Sequence, residues 1–231
     1  MATFIALQNE VLALVIDTPS AVQTYVPQYV NRAIRKLQNK HNYKVMEAEA
    51  TRVTVAGVRT LDTARPTDWK EPRGNPYYIE NFGSYRRMFW VSSKGNALAR
   101  WGNDVTLDIG APGALYEDDL PGEFNVFPYP DGLSDYPDGQ YRITIPYWKY
   151  LSNLISDTDE NWFTTNAEQY IVKRAVGDAF SANEDENRAQ YWYGLAQEEY
   201  AEVLALDKSR RISETDTLVP HTGALPPHLQ E

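Results

Sequence analysis

The residues from Asp157 to Arg211 constrain the fold most, because they read as two helices joined by a tight turn. Thr165 followed three residues later by Glu168 has the spacing of a capping box, which predicts a helix starting there. Ile171, Val172, Ala175, Val176, Ala179 and Phe180 form a broad apolar stripe on it, with Lys173, Arg174 and Asp178 off the stripe. Ser181 to Asp185 supplies turn and cap residues. A second, longer helix then carries Trp192, Leu195, Ala196, Val203 and Leu206 at helical spacing, with Glu198 and Glu202 on its outer face. Lys208, Arg210 and Arg211 close it, where the helix dipole favours cations. Such a hairpin cannot bury both stripes alone and needs further apolar helices.

The N-terminal residues supply them. Phe4, Leu7, Val11 and Leu14 recur at spacings of three and four, predicting a helix over Thr3 to Asp17 that Thr18 and Pro19 end. A second helix is expected from Tyr25 to His41, with Thr24 as its cap and Pro27 in its first turn. Val30, Ala33, Ile34 and Leu37 are its apolar face. Arg32, Arg35 and Lys36 belong to a basic face, read either as solvated charge or as a contact with an acidic neighbouring subunit.

From Tyr43 the helical period is replaced by Val- and Thr-rich segments, with strands expected within Tyr43–Leu61, Tyr77–Ile79, Arg87–Ser92, Val105–Ile109, Phe124–Tyr129 and Tyr141–Trp148. In the last, Tyr141, Ile143, Ile145 and Tyr147 alternate with polar neighbours, the two-residue period of a half-buried sheet. PYPDGLSDYPDG is expected to join the final two strands as a hairpin. The reading is therefore α+β, a four-helix bundle with an inserted antiparallel β-sheet region. The bundle takes residues 1–42 and 157–211, the insertion 43–156, and 212–231 form an extended C-terminal tail with three prolines.

Composition narrows the chemistry. The 231 residues contain no cysteine, which excludes disulfides, thiol catalysis and cysteine-held metals. The three histidines, His41, His221 and His228, fit no hydrolase or metalloprotease pattern. No catalytic, cofactor or metal residue is assigned. Asp157, Asp159 and Asn161 with Glu168 match the ligand spacing of a calcium loop, but Trp162 stands where its sharp turn needs glycine. No apolar run approaches the roughly 20 residues that span a bilayer. The net charge of −10 opposes adhesion to nucleic-acid phosphates. Aromatics make up 13% of the chain. Trp69, Tyr77, Tyr78, Tyr85, Trp90 and Trp101 admit an alternative reading, a carbohydrate- or receptor-binding module that stacks sugars on exposed rings.

Several longer motifs carry a resemblance: VNRAIRKLQNKHN, FNVFPYPDG, and QYRITIPYWKYLSNLISDTDENWFTTNAEQYIVKRAVGDAF followed by DENRAQYWYGLAQEEYAEVLALDKSRR. In these the chain resembles head-to-tail connector proteins of tailed bacteriophages, the adaptor or gatekeeper proteins. It departs from them in a longer linker with two PDG runs and in long loops between Thr63 and Gly122. The resemblance implies a structural virion protein, not an enzyme. It would be assembled in the host cytoplasm and placed at the head–tail interface. Its implied partners are the portal protein, the next tail component and further copies of itself in a ring, about twelve-fold by analogy with the portal. DNA would pass through that ring without specific binding. Arg32, Arg35, Lys36, Leu218, Val219, Leu225 and Leu229 are then the partner-interface candidates, and Glu198 and Glu202 the channel-lining ones.

Overall fold

The structure is a computed structural model describing residues 2–62, 64–79, 85–91, 95–96, 109–117, 122–134 and 138–215. The chain divides into two compact units, Met1–Val45 with Asn153–Glu231, and Met46–Ser152. The first is helical and the second is built on strands, so the class is α+β.

Among the described residues the helical unit has six helices: α1 (Phe4–Leu14), α2 (Ser20–Gln23), α3 (Val26–Lys40), α4 (Trp162–Asn166), α5 (Glu168–Ala182) and α6 (Glu186–Thr215). Thr3 caps α1 by accepting from the Ala6 amide, and Phe4, Leu7 and Val11 form its buried stripe. Thr24 does not cap α3. Its hydroxyl donates back to the Ser20 carbonyl, and Tyr25 occupies the cap position. The expected capping box at Thr165 and Glu168 is also displaced. Asn161 and Thr164 form the box, and it starts α4, with Thr165 inside that helix. Asn161 has the better position because Trp162 and Phe163 can then enter the helix while Phe163 is buried.

Helix α5 is buried on almost every side and takes α1, α3 and α6 against it. This explains its apolar breadth, since a helix at the centre of a layer arrangement needs no polar face. At Gly177 an added Cβ would lie 2.5 Å from the Tyr193 ring, so glycine is what permits α6 to approach so closely. The contact is pinned by the Tyr193 hydroxyl donating to Asp178 Oδ1 at 2.9 Å and by Arg174 stacked 3.9 Å over the same ring. On α6 the buried line is Ala189, Ala196 and Val203, at intervals of seven, followed by Asp207. Trp192 and Leu195 are only half-buried, and Leu206 is 46% exposed. Sequence periodicity favours the bulky residues, whereas close approach to α5 favours the alanines one step round the helix. The turn between α5 and α6 places Glu184 at φ +59°, and Asp185 caps α6 by accepting from the Arg188 amide at 3.1 Å. Helix α6 continues to Thr215, past the expected start of the tail at Ile212.

The second unit holds β1 (Glu47–Val53), β2 (Trp69–Pro72), β3 (Tyr77–Ile79), β4 (Tyr85–Arg87), β5 (Phe89–Val91), β6 (Ile109–Gly110), β7 (Ala114–Glu117), β8 (Phe124–Phe127), β9 (Tyr129–Pro130) and β10 (Arg142–Lys149). The main sheet is antiparallel in the order β1-β10-β3-β4, with β2 also paired to β10. Ala50 lies opposite Ile145 and Val53 opposite Arg142. Ile143, Ile145 and Tyr147 enter a core with Trp69, Met88 and Phe124, in which Trp69 stacks on Tyr147 at 4.8 Å.

Two pairings differ from a purely antiparallel insertion, because β5 runs parallel to β7 and β6 parallel to β9. The expected hairpin between β8 and β10 is not formed. β8 pairs with β7, while β10 pairs with β1, β2 and β3. Within the described part of the linker, Asp131 and Asp138 accept from amides two residues on, and Gly132 and Gly139 take φ +73° and +68°. A Cβ on Gly139 would meet the Gly132 carbonyl oxygen at 2.4 Å, so the two PDG turns lie backbone to backbone. Of the expected strand Val105–Ile109, only Ile109 lies within the described residues.

Candidate interaction surfaces

The basic face of α3 borders a groove of about 450 Å³. Arg32 is exposed, its guanidinium 5.7 Å from the Tyr29 ring centroid. Arg35 is half-buried and lines the groove, and Lys36 is exposed. The opposite wall is residues Asn153 to Ile155. Asn31 fixes that wall by accepting from the Leu154 amide at 2.8 Å and donating to its carbonyl at 2.9 Å. Beyond it, Asp159 Oδ2 accepts from the amides of Ile155 and Ser156 at 2.7 and 2.8 Å. Those two bonds hold the Asp159 carboxyl below its ordinary pKa. The Asp157 and Asp159 carbonyls accept from the first amides of α1. Asn161 is spent on the α4 cap and Glu168 sits in α5. Of the four residues with calcium-loop spacing, Asp159 and Asn161 thus have their side chains committed to local structure, and among the described residues no cluster fit to hold a metal is present.

Glu198 and Glu202 lie exposed on the outer face of α6. Between Arg188 and Lys208 the helix carries no Lys or Arg, so this face has only negative charge. Leu218, Val219, Leu225 and Leu229 lie outside the described residues. Of the aromatics considered as sugar platforms, Trp69 and Tyr78 belong to the buried core and Trp90 packs against it. Trp101 lies outside the described residues. Tyr77 and Tyr85 meet edge to face at 5.4 Å in a groove of about 430 Å³ that includes Glu49, Arg73 and Arg87.

The site that sequence reasoning missed is Asp207. Its side chain is 2% exposed and accepts from the Lys44 amide at 2.8 Å and from Arg211 Nε at 2.9 Å, with His41 Nε2 at 3.2 Å. Arg211 also donates to the Asn42 carbonyl. Burial pushes the Asp207 carboxyl up, but the bonds from Lys44, Arg211 and His41 outweigh it and leave the pKa lowered. This carboxylate fastens residues 41–44 to the last turns of α6. The four-residue spacing of Asp207 and Arg211 was the available signal, and it reads equally as an ordinary surface pair.

No helix among the described residues is long and apolar enough to cross a membrane. A family model described as SU10 adaptor protein matches residues 2–220. The chain belongs to that family. No curated protein matches it.

Proposed function

We propose that this member of the SU10 adaptor protein family is a phage head-to-tail adaptor, a structural virion protein that forms a ring below the portal and continues the DNA channel into the tail. The family match across residues 2–220 carries the reading. The four longer helices act as one rigid bundle and the strand unit as its insertion. Arg32, Arg35 and Lys36 face partner proteins, and Leu218, Val219, Leu225 and Leu229 dock the tail on the portal. Glu198 and Glu202 face the bore, where like charge keeps DNA from adhering as it passes. The unbroken negative face of α6 supports that orientation. The role is assembly rather than catalysis, and the downstream contact is the next tail component.

Infection with phage lacking the protein tests this. Heads should package DNA but remain tailless and leak it, so that empty tailless heads accumulate, and purified protein should restore tail attachment. Normal tailed particles in its absence would refute the proposal.

A further inference from the structure

The groove beside α3 and the C-terminal residues of the chain are chemically matched. The lining of the groove holds two cations, Arg32 and Arg35, and no carboxylate. Phe4, Leu154 and Ile155 give it an apolar side, on a loop whose backbone Asn31 and Asp159 already fix. Gln28 and Asn153 add exposed side-chain amides that donate and accept. Such walls suit an extended, acidic chain with an apolar edge. A proline-rich chain has no internal hydrogen bonds to give up, and its carbonyls are open to amide donors.

Residues 212–231 have that chemistry. They carry Glu214, Asp216 and Glu231 and no Lys or Arg. Pro220, Pro226 and Pro227 favour an extended chain of roughly three residues per turn, on which Pro226 and Leu229 share one edge. A second groove of the helical unit, about 230 Å³ between the start of α5 and α6, suits them less. Its lining holds Glu168, Glu199 and Glu202 and no cation, so it repels an acidic segment.

The segment also starts near the groove of its own chain. Arg210 lies 5.9 Å from the Trp162 ring centroid, and Asp207 accepts from the Lys44 amide, so the last turns of α6 are fixed. Trp162 is only three residues from Asp159, which is at most about 10 Å of chain. Asp159 Oδ2 in turn accepts from the amide of Ile155, in the groove wall, at 2.7 Å. Residues 216–231 extend about 50 Å at roughly 3.1 Å each, which is ample reach.

We propose that in the free subunit the groove beside α3 holds the chain's own C-terminal segment, with Pro226 and Leu229 against Leu154 and Ile155 and Glu231 toward Arg32, and that joining the portal releases it. Release bares the segment and the basic face together, so both are kept from other partners until then. The release step rests on the adaptor reading above, and the docking step does not.

The chain has no native cysteine, so an engineered pair reports the docking without background. Ser156 and Gln230 adjoin the proposed contact without forming it. In the full chain, Ser156→Cys with Gln230→Cys, oxidised at low protein concentration, should close an intramolecular disulfide at least about tenfold faster than Gln169→Cys with Gln230→Cys, which samples the acidic groove through the same linker. Arg32→Glu, at an exposed position, should bring the first rate down to the second. Equal rates for the two pairs would mean an undocked segment and overturn the proposal. Covalent dimers in place of closed monomer would give the groove to a second copy and overturn it too. On purified portal the closed form should fail to attach until it is reduced, and attachment without reduction would overturn the release step. Failure of the unsubstituted protein to attach would remove the adaptor reading and leave the docking result standing.

Discussion

Asp207→Ala should destabilise the helical unit by about 3 kcal/mol. The carboxylate accepts two well-placed bonds, from the Lys44 amide at 2.8 Å and Arg211 Nε at 2.9 Å, besides the longer one with His41. Hydrogen bonds involving a charged group contribute about 1.5–3 kcal/mol each, which gives roughly 3–6 kcal/mol before correction. Arg211 is 40% exposed and recovers water when its partner is removed, so the low end applies. Urea denaturation followed by far-UV circular dichroism measures the change. The pH dependence supplies a second readout. The folded pKa lies below the unfolded value near 3.8, so the stabilisation is present above that value and is lost as pH falls through the folded one. Asp207→Asn should flatten this part of the acid limb. A loss under about 1 kcal/mol for Asp207→Ala, with an unchanged acid limb, would refute the claim that this carboxylate fastens α6 to residues 41–44.

Gly177→Ala should cost about 1–3 kcal/mol despite the better helix propensity of alanine, because Tyr193 is held by Asp178 and Arg174 and cannot yield; a gain in stability would show that the ring moves. Trp192→Ala should cost about 1–2 kcal/mol rather than the roughly 3–5 of a fully buried ring, and Phe163→Ala should fall in that larger range, both by urea titration. Ile155→Asp should leave the free subunit's stability within about 0.5 kcal/mol, since the side chain is 84% exposed. Removing residues 216–231, which leaves α6 complete, should preserve folding and abolish attachment to portal-bearing heads; normal attachment would rule out the tail as the docking segment.

Long apolar periods were the legible part of the sequence. The stripes of α1, α3 and α5 and the alternation in β10 each report a single helix or strand face, which local spacing encodes directly. Partner choice was not legible. Tyr141 to Trp148 reads as a strand whether its neighbour is β8 or β1, and only the non-local pairing of Ala50 with Ile145 decides it. The facing of α6 failed for a related reason. Its apolar residues go round most of the helix, so side-chain size pointed to Trp192 and Leu195, while the closeness of Gly177 selects Ala189 and Ala196. The capping box was misplaced by four residues because Asn161 and Thr165 have equally good cap chemistry, and burial of Phe163 breaks the tie. Asp207 was invisible because its partners at 41–44 are remote in sequence. The basic face of α3 and the acidic face of α6 were readable as charge patterns, and the structure adds the groove walls beside each.

Native mass spectrometry of the protein with and without purified portal tests the adaptor reading most directly. The account predicts a discrete complex in which one portal ring carries a fixed number of adaptor copies, all added together rather than as a graded series. Adaptor remaining as free subunits in the presence of portal would contradict it.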